Sequence, residues 1–178
     1  MTTKVSSAMQ DLTDDYAFSG TVSGAGKVVQ VVNTQSGETA SGTTTYNNDD
    51  TIPQISELNA FSALDTIITP TNASNILLIQ VILSTSNTVA TAETEAMGLF
   101  QDSTAGALAA IQGASQAGAT YRVPLALNHW MVAGTVSATT FKVAAASTAA
   151  GTIHFNGNAG RIFGGVMASS MTITEIAV

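Results

Sequence analysis

Residues 68–86 read ITPTNASNILLIQVILSTS, a proline-bearing polar turn followed by an almost unbroken apolar run. Pro70 fixes its own φ and keeps Thr69 extended, while Asn72 and Ser74 bring turn chemistry. Ile76 to Leu83, interrupted by Gln80, falls far short of the roughly 20 residues a helix needs to cross a bilayer. The run therefore predicts a central strand buried on both faces. One layer of a sandwich covers only one face of such a strand. Cover for the other is expected in part from a neighbouring subunit, so the stretch predicts homo-oligomerisation as well as a core.

Outward from this run the chain keeps a period of two. KVVQVVN from Lys27, TTTYN, LDTIIT, TVATAETEAMGLFQ, ATYRVPLALNHWMVAG, TTFKVAAAS, GTIHFN and the closing SMTITEIAV mix β-branched or aromatic residues with polar ones between turn residues. Ala105 to Ala117 carries helix-forming alanines, but Gly106, Gly113 and Gly118 cut it, which favours strand and loop. About eight to ten short strands with turn signals between them predict an all-β fold, an antiparallel sandwich of the jelly-roll kind spanning residues 27–178. Before it, Val5, Met9 and Leu12 recur at near-helical spacing until the glycines at 20, 24 and 26. Residues 1–26 thus read as a short arm and linker, with those three side chains as its anchor.

Composition narrows the function. Charged residues make up 10% of the chain, against roughly 25% in soluble domains. The net charge is −7, and Lys4, Lys27, Arg122, Lys142 and Arg161 stand singly rather than in a cluster, which argues against nucleic-acid binding. The absence of cysteine excludes disulfides, thiolate metal sites and thiol catalysis. The first 18 residues lack the apolar core of a signal peptide, and membrane insertion is not expected.

No catalytic, cofactor or metal constellation emerges. Neither His129 nor His154 sits in a nucleophile or metal motif, and G-x-S-x-G and P-loop patterns are missing. His129, beside Trp130, reads as a strand residue with weak potential for ligand contact. His154 alternates with Ile153 and Phe155 and should point away from the core. Glu93 and Glu95 share one face of a strand, and like charges there predict an exposed face. Asp49 and Asp50 could offer oxygen ligands to a cation, but a turn capped by Asn and Asp side chains reads better.

Four segments in order, GKVVQVVN, ITPTNASNILLIQ, TTFKVAAAS with GTIHFN, and SSMTITEIAV, resemble the β-sandwich domain of bacteriophage tail-fibre and other virion surface proteins. The resemblance covers about Gly26 to Val178, with Phe141 where the pattern usually has tyrosine. It implies a trimeric virion protein without enzymatic activity or cofactor, assembled in the bacterial cytoplasm. Residues 1–26 would dock on tail or capsid proteins. Tyr121, His129 and Trp130 would be candidate contacts to a host-surface glycan or protein. The alternative is a capsid decoration or head-fibre protein that stabilises the particle without binding a receptor.

Overall fold

The computed structural model describes residues 26–88, 93–115 and 121–178, so nearly all of the expected arm, with Val5, Met9 and Leu12, lies outside the described residues. Eleven strands follow one another: β1 (Lys27–Ser36), β2 (Ala40–Gly42), β3 (Asn59–Ala60), β4 (Thr66–Ile68), β5 (Ile76–Asn87), β6 (Glu93–Gln101), β7 (Ala109–Ser115), β8 (Tyr121–Val132), β9 (Thr139–Ser147), β10 (Ile153–Phe155) and β11 (Ser169–Ala177). Three single-turn 3-10 helices join them, and there is no α-helix among the described residues.

The strands form two antiparallel sheets packed as a jelly-roll-like sandwich. β5 is the central strand of the first: β8 pairs with its whole length on one side, and β11 and then β10 pair on the other, with β1 and β2 beyond them. In the second sheet β9 and β6 are central, with β7 outside β6 and the short β3 and β4 outside β9. Strand content follows from β-branched residues whose alternation matches the pleat. The first and last of these strands lie side by side, with Lys27 opposite Ala177.

The core lies between the sheets. Leu77, Ile79, Val81 and Leu83 of β5 meet Met97 and Leu99 of β6 and Phe141 and Val143 of β9. Phe61 and Phe155 stack with centroids 4.8 Å apart. A second, smaller cluster coats the outer face of the second sheet. There Tyr46 and Leu58, from the segment between β2 and β3, pack on Ala96, Phe100, Ala144 and Ala146. Tyr46 is fixed at its hydroxyl by Gln112 Nε2 at 2.6 Å and Thr94 Oγ1 at 2.9 Å, and at its backbone N–H by the Ser147 carbonyl.

The described chain covers one face of β5, and its alternate residues Ile76, Leu78, Gln80 and Ile82 face outward, with Ile82 56% exposed. Two expectations are corrected here. TTTYN is not a strand but a strap, with an isolated bridge between Thr45 and Ser147 and further hydrogen bonds at Thr44 and Tyr46. Glu93 and Glu95 are buried, because they share the phase of Met97 and Leu99 rather than that of a solvent face. The glycine-cut stretch does form strand and loop, as β7.

Candidate functional site

The two sheets are finished differently on the outside. The strap covers the second; among the described residues the first has no comparable cover over β8, β5, β11 and β1. Strand registers arrange this outer face in four rows of four. The first row is Val132, Ile76, Ile176 and Val28, and the second Trp130, Leu78, Thr174 and Val31. The third row is Asn128, Gln80, Thr172 and Asn33, and the last Ala126, Ile82, Ser170 and Gln35. None of these residues is ionisable. Monomeric proteins rarely leave so broad an uncharged, half-apolar surface to water.

Trp130 stands on this face, 57% exposed beside Leu78. His129 does not accompany it. Strand alternation turns the imidazole to the opposite side, opposite Ile79 and half-buried, so the two residues cannot act as one contact pair. The Tyr121 side chain lies outside the described residues.

At the β10 end the same outer face is locally covered by the loop of residues 156–161. His154 points away from the core as expected, but the loop closes over it, and its Nε2 is buried. A cavity of about 370 Å³ lies there, lined by Thr39, Ser41, His154 and Asn158 with the backbone of Gly157 to Gly160. Asp49 behaves as a turn cap: its Oδ1 accepts from the N–H of Thr51 at 3.0 Å and from the Thr51 hydroxyl.

Sequence reading missed three buried carboxylates, Glu93, Glu95 and Glu175. Glu175 of β11 accepts from Gln30 Nε2 at 2.6 Å, Asn75 Nδ2 at 2.6 Å, and the N–H and hydroxyl of Thr71 at 2.8 Å each. Burial alone would raise its pKa, but these four donors outweigh it and hold the carboxyl down at about 2. The signal was available, since Glu175 shares the phase of Met171 and Ile173 in SMTITEIAV.

Glu95, fully buried at the other end, is arranged in the opposite sense. Thr85 Oγ1 lies 2.5 Å from Glu95 Oε2 and 2.9 Å from the Val123 carbonyl oxygen. A hydroxyl has one hydrogen, so both contacts are satisfied only when Glu95 carries a proton and donates to Thr85, which donates onward to Val123. Burial first, and the neighbouring Glu93 charge after it, raise the Glu95 pKa, against the lowering that a Thr85 hydroxyl donated to the carboxylate would bring. Glu93 accepts from the Ser147 hydroxyl and from the N–H of Ala149 at 3.1 Å. Carboxylates seated this way hold the two ends of the sandwich together.

No family model matches the chain, and no curated protein matches it. Among solved structures it is similar to Eiger TNF from S. frugiperda, at 9% identity and a TM-score of 0.44, covering 85% of this chain and 94% of that one. It is also similar to a chain of infectious bursal disease virus, Gx strain, at 11% identity and a TM-score of 0.36, covering 83% of this chain and 39% of that one. A third likeness is to the enzymatically active domain of a bacteriophage CBA120 tailspike protein, at 17% identity and a TM-score of 0.29, covering 72% of this chain and 19% of that one. The fold itself stands on the strand pairing, which makes this chain an all-β, two-sheet, jelly-roll-like sandwich.

Proposed function

We propose that the chain is a non-enzymatic structural protein of a bacteriophage virion, a short trimeric fibre or spike. In this reading residues 1–26 dock on a neighbouring virion protein and the sandwich projects toward the host surface. The observation that carries it is the uncharged outer face around Trp130, Leu78 and Ile82. Identical copies packed about a closed symmetry axis would cover such a face without desolvating any ion. The segments behind the resemblance to virion surface proteins also support one another physically. QVVN, ITPTNASN and TITEI meet at Glu175, which ties β1, the turn before β5 and β11 together.

The test is to locate the chain on intact particles by cryo-EM and to measure its mass in solution by light scattering. Density at the tail with a mass of three copies is the expected result. Density on the capsid would replace attachment by the decoration role, and a monomer at micromolar concentration would remove the shared-face argument.

A further inference from the structure

Thr85 and Glu95 make a hydrogen-bonded link across the core, from β5 in the first sheet to β6 in the second. It lies at the end of the sandwich where β5 finishes and β6 begins. β7 and β8, one from each sheet, close on each other at the same end. A Cβ on Gly113 would sit 2.9 Å from both Val123 Cγ1 and Leu125 Cδ2, so the two strands approach this closely only with glycine there.

The link has a defined proton count. Thr85 gives its one hydrogen to the Val123 carbonyl oxygen at 2.9 Å, and a carbonyl has none to return. The 2.5 Å contact with Glu95 Oε2 is then a bond only if the carboxyl is the donor. Glu95 Oε1 points the same way, because it is buried without a hydrogen-bond partner. In a neutral carboxyl that is one unmade bond, whereas in a carboxylate it is a buried charge with no donor to receive it.

The surroundings offer no countercharge. Facing Glu95 from the neighbouring strands are Thr85 of β5, Gly113 of β7, Val123 of β8 and Ser147 of β9. The ionisable group beside it is Glu93, a like charge whose Oε2 accepts from Ser147 and Ala149. Arg122 and Lys142 stand in the opposite phases of β8 and β9; Arg122 is exposed, and Lys142 Nζ donates to the Asp102 carbonyl at 2.8 Å. His154, opposite Ser86, points away from the core. Tyr121 shares the phase of Val123, and its side chain lies outside the described residues. The sequences of the β5–β6 and β7–β8 connections, residues 89–92 and 116–120, contain no ionisable residue.

Loss of the proton breaks this link from both sides. Thr85 can bond the new carboxylate only by turning its hydrogen away from Val123, and Glu95 Oε1 still has no donor. Two like charges on one strand then share the core. Water relieves all of this at once, and it reaches Glu95 when β5 and β8 part from β6 and β7 at this end. We infer that Thr85 and Glu95 form a proton-operated latch, which holds the two sheets together here while Glu95 is protonated and releases them when the proton passes to solvent. Because the folded-state pKa is raised above the ordinary 4.5, the latch is fully closed below that value and loosens as pH rises through the folded one. The far end, held by the ionised Glu175, keeps its bonds over the same rise.

Backbone amide hydrogen exchange on the full chain, read by NMR from pH 4.5 to about 8.5 and corrected for the intrinsic rate at each pH, tests the latch. Protection of Thr85, Glu95, Gly113 and Val123 is expected to fall by about tenfold or more, while that of Ile79 and Ile173, paired farther along β5, stays within about twofold. In Glu95→Gln the amide donates to Thr85 at every pH, so protection should not change with pH. A second measurement needs no variant: the Glu95 carboxyl carbon in the parent should titrate where the loss of protection levels off. Protection that stays constant in the parent, falls equally in folded Glu95→Gln, or falls uniformly through both sheets overturns the latch. A Glu95 carboxyl that titrates at or below 4.5 overturns it as well.

Discussion

The carboxylate of Glu175 accepts from both the backbone N–H and the side-chain hydroxyl of Thr71, each at 2.8 Å, across 104 residues of sequence. The polar turn ahead of the central strand is thereby bound to the last strand of the sandwich. Because the folded-state pKa of about 2 lies below the ordinary value of 4.5, Glu175 contributes stability that is present above pH 4.5 and lost as pH falls toward 2. Acid titration followed by circular dichroism should show this loss. Glu175→Gln should destabilise the protein by about 1.5–3 kcal/mol at neutral pH and flatten the acid limb.

Glu95 should behave in the opposite way. Its folded-state pKa is raised, so its contribution is full below the unfolded value of 4.5 and is lost as pH rises through the folded value. In Glu95→Gln the new amide can donate to Thr85 Oγ1 while Thr85 still donates to Val123. The variant is expected to melt above the parent at pH 8, with the difference vanishing at pH 4. A variant less stable than the parent at pH 8 would contradict the protonated arrangement.

The open face invites a direct test of assembly. Trp130→Glu, or independently Ile82→Glu, places a charge on a surface that has none and should weaken self-association by roughly 30-fold or more. Both side chains already face outward, so the melting profile of the dissociated chain should change little. Sedimentation velocity across a concentration series reads the effect; association equal to the parent's would remove this face from the interface.

Tyr46 tests the strap over the second sheet. Tyr46→Phe keeps the ring on Phe100 and Ala146 but removes the contacts to Gln112 and Thr94. A loss of about 1–2 kcal/mol in urea unfolding is expected.

Much of this fold is legible in the sequence because alternation and turn chemistry act locally. β5, β8, β9 and β11 fall where the period-two runs place them, and the turn of Asn72 and Ser74 closes through the predicted Asn side chain, whose Oδ1 accepts from the Ser74 N–H at 2.9 Å. The errors arise where the partner is distant. β2 and β3, of three and two residues, exist only because β10 and β9 lie beside them. Glu93 and Glu95 read as a repelling pair on a wet face, whereas Ser147 and Thr85, 54 and 10 residues away, receive them inside. For β5, the apolar residues on the outward face pointed to cover from outside the sandwich, and among the described residues none supplies it along the four rows. The pocket was illegible for the same reason, since it exists only once the loop folds over β10 and β2.

The pairing of Lys27 with Ala177 gives the sandwich a direction. β1 begins and β11 ends beside the row that contains Ile76. Ser86, which pins the loop over His154, is ten residues farther along β5, roughly 33 Å away at the rise of an extended strand. The sandwich therefore has one end where β1 starts and β11 stops, and an opposite end where the loop of residues 156–161 lies over β10. A label attached to Lys27 would mark the first end and leave the second bare.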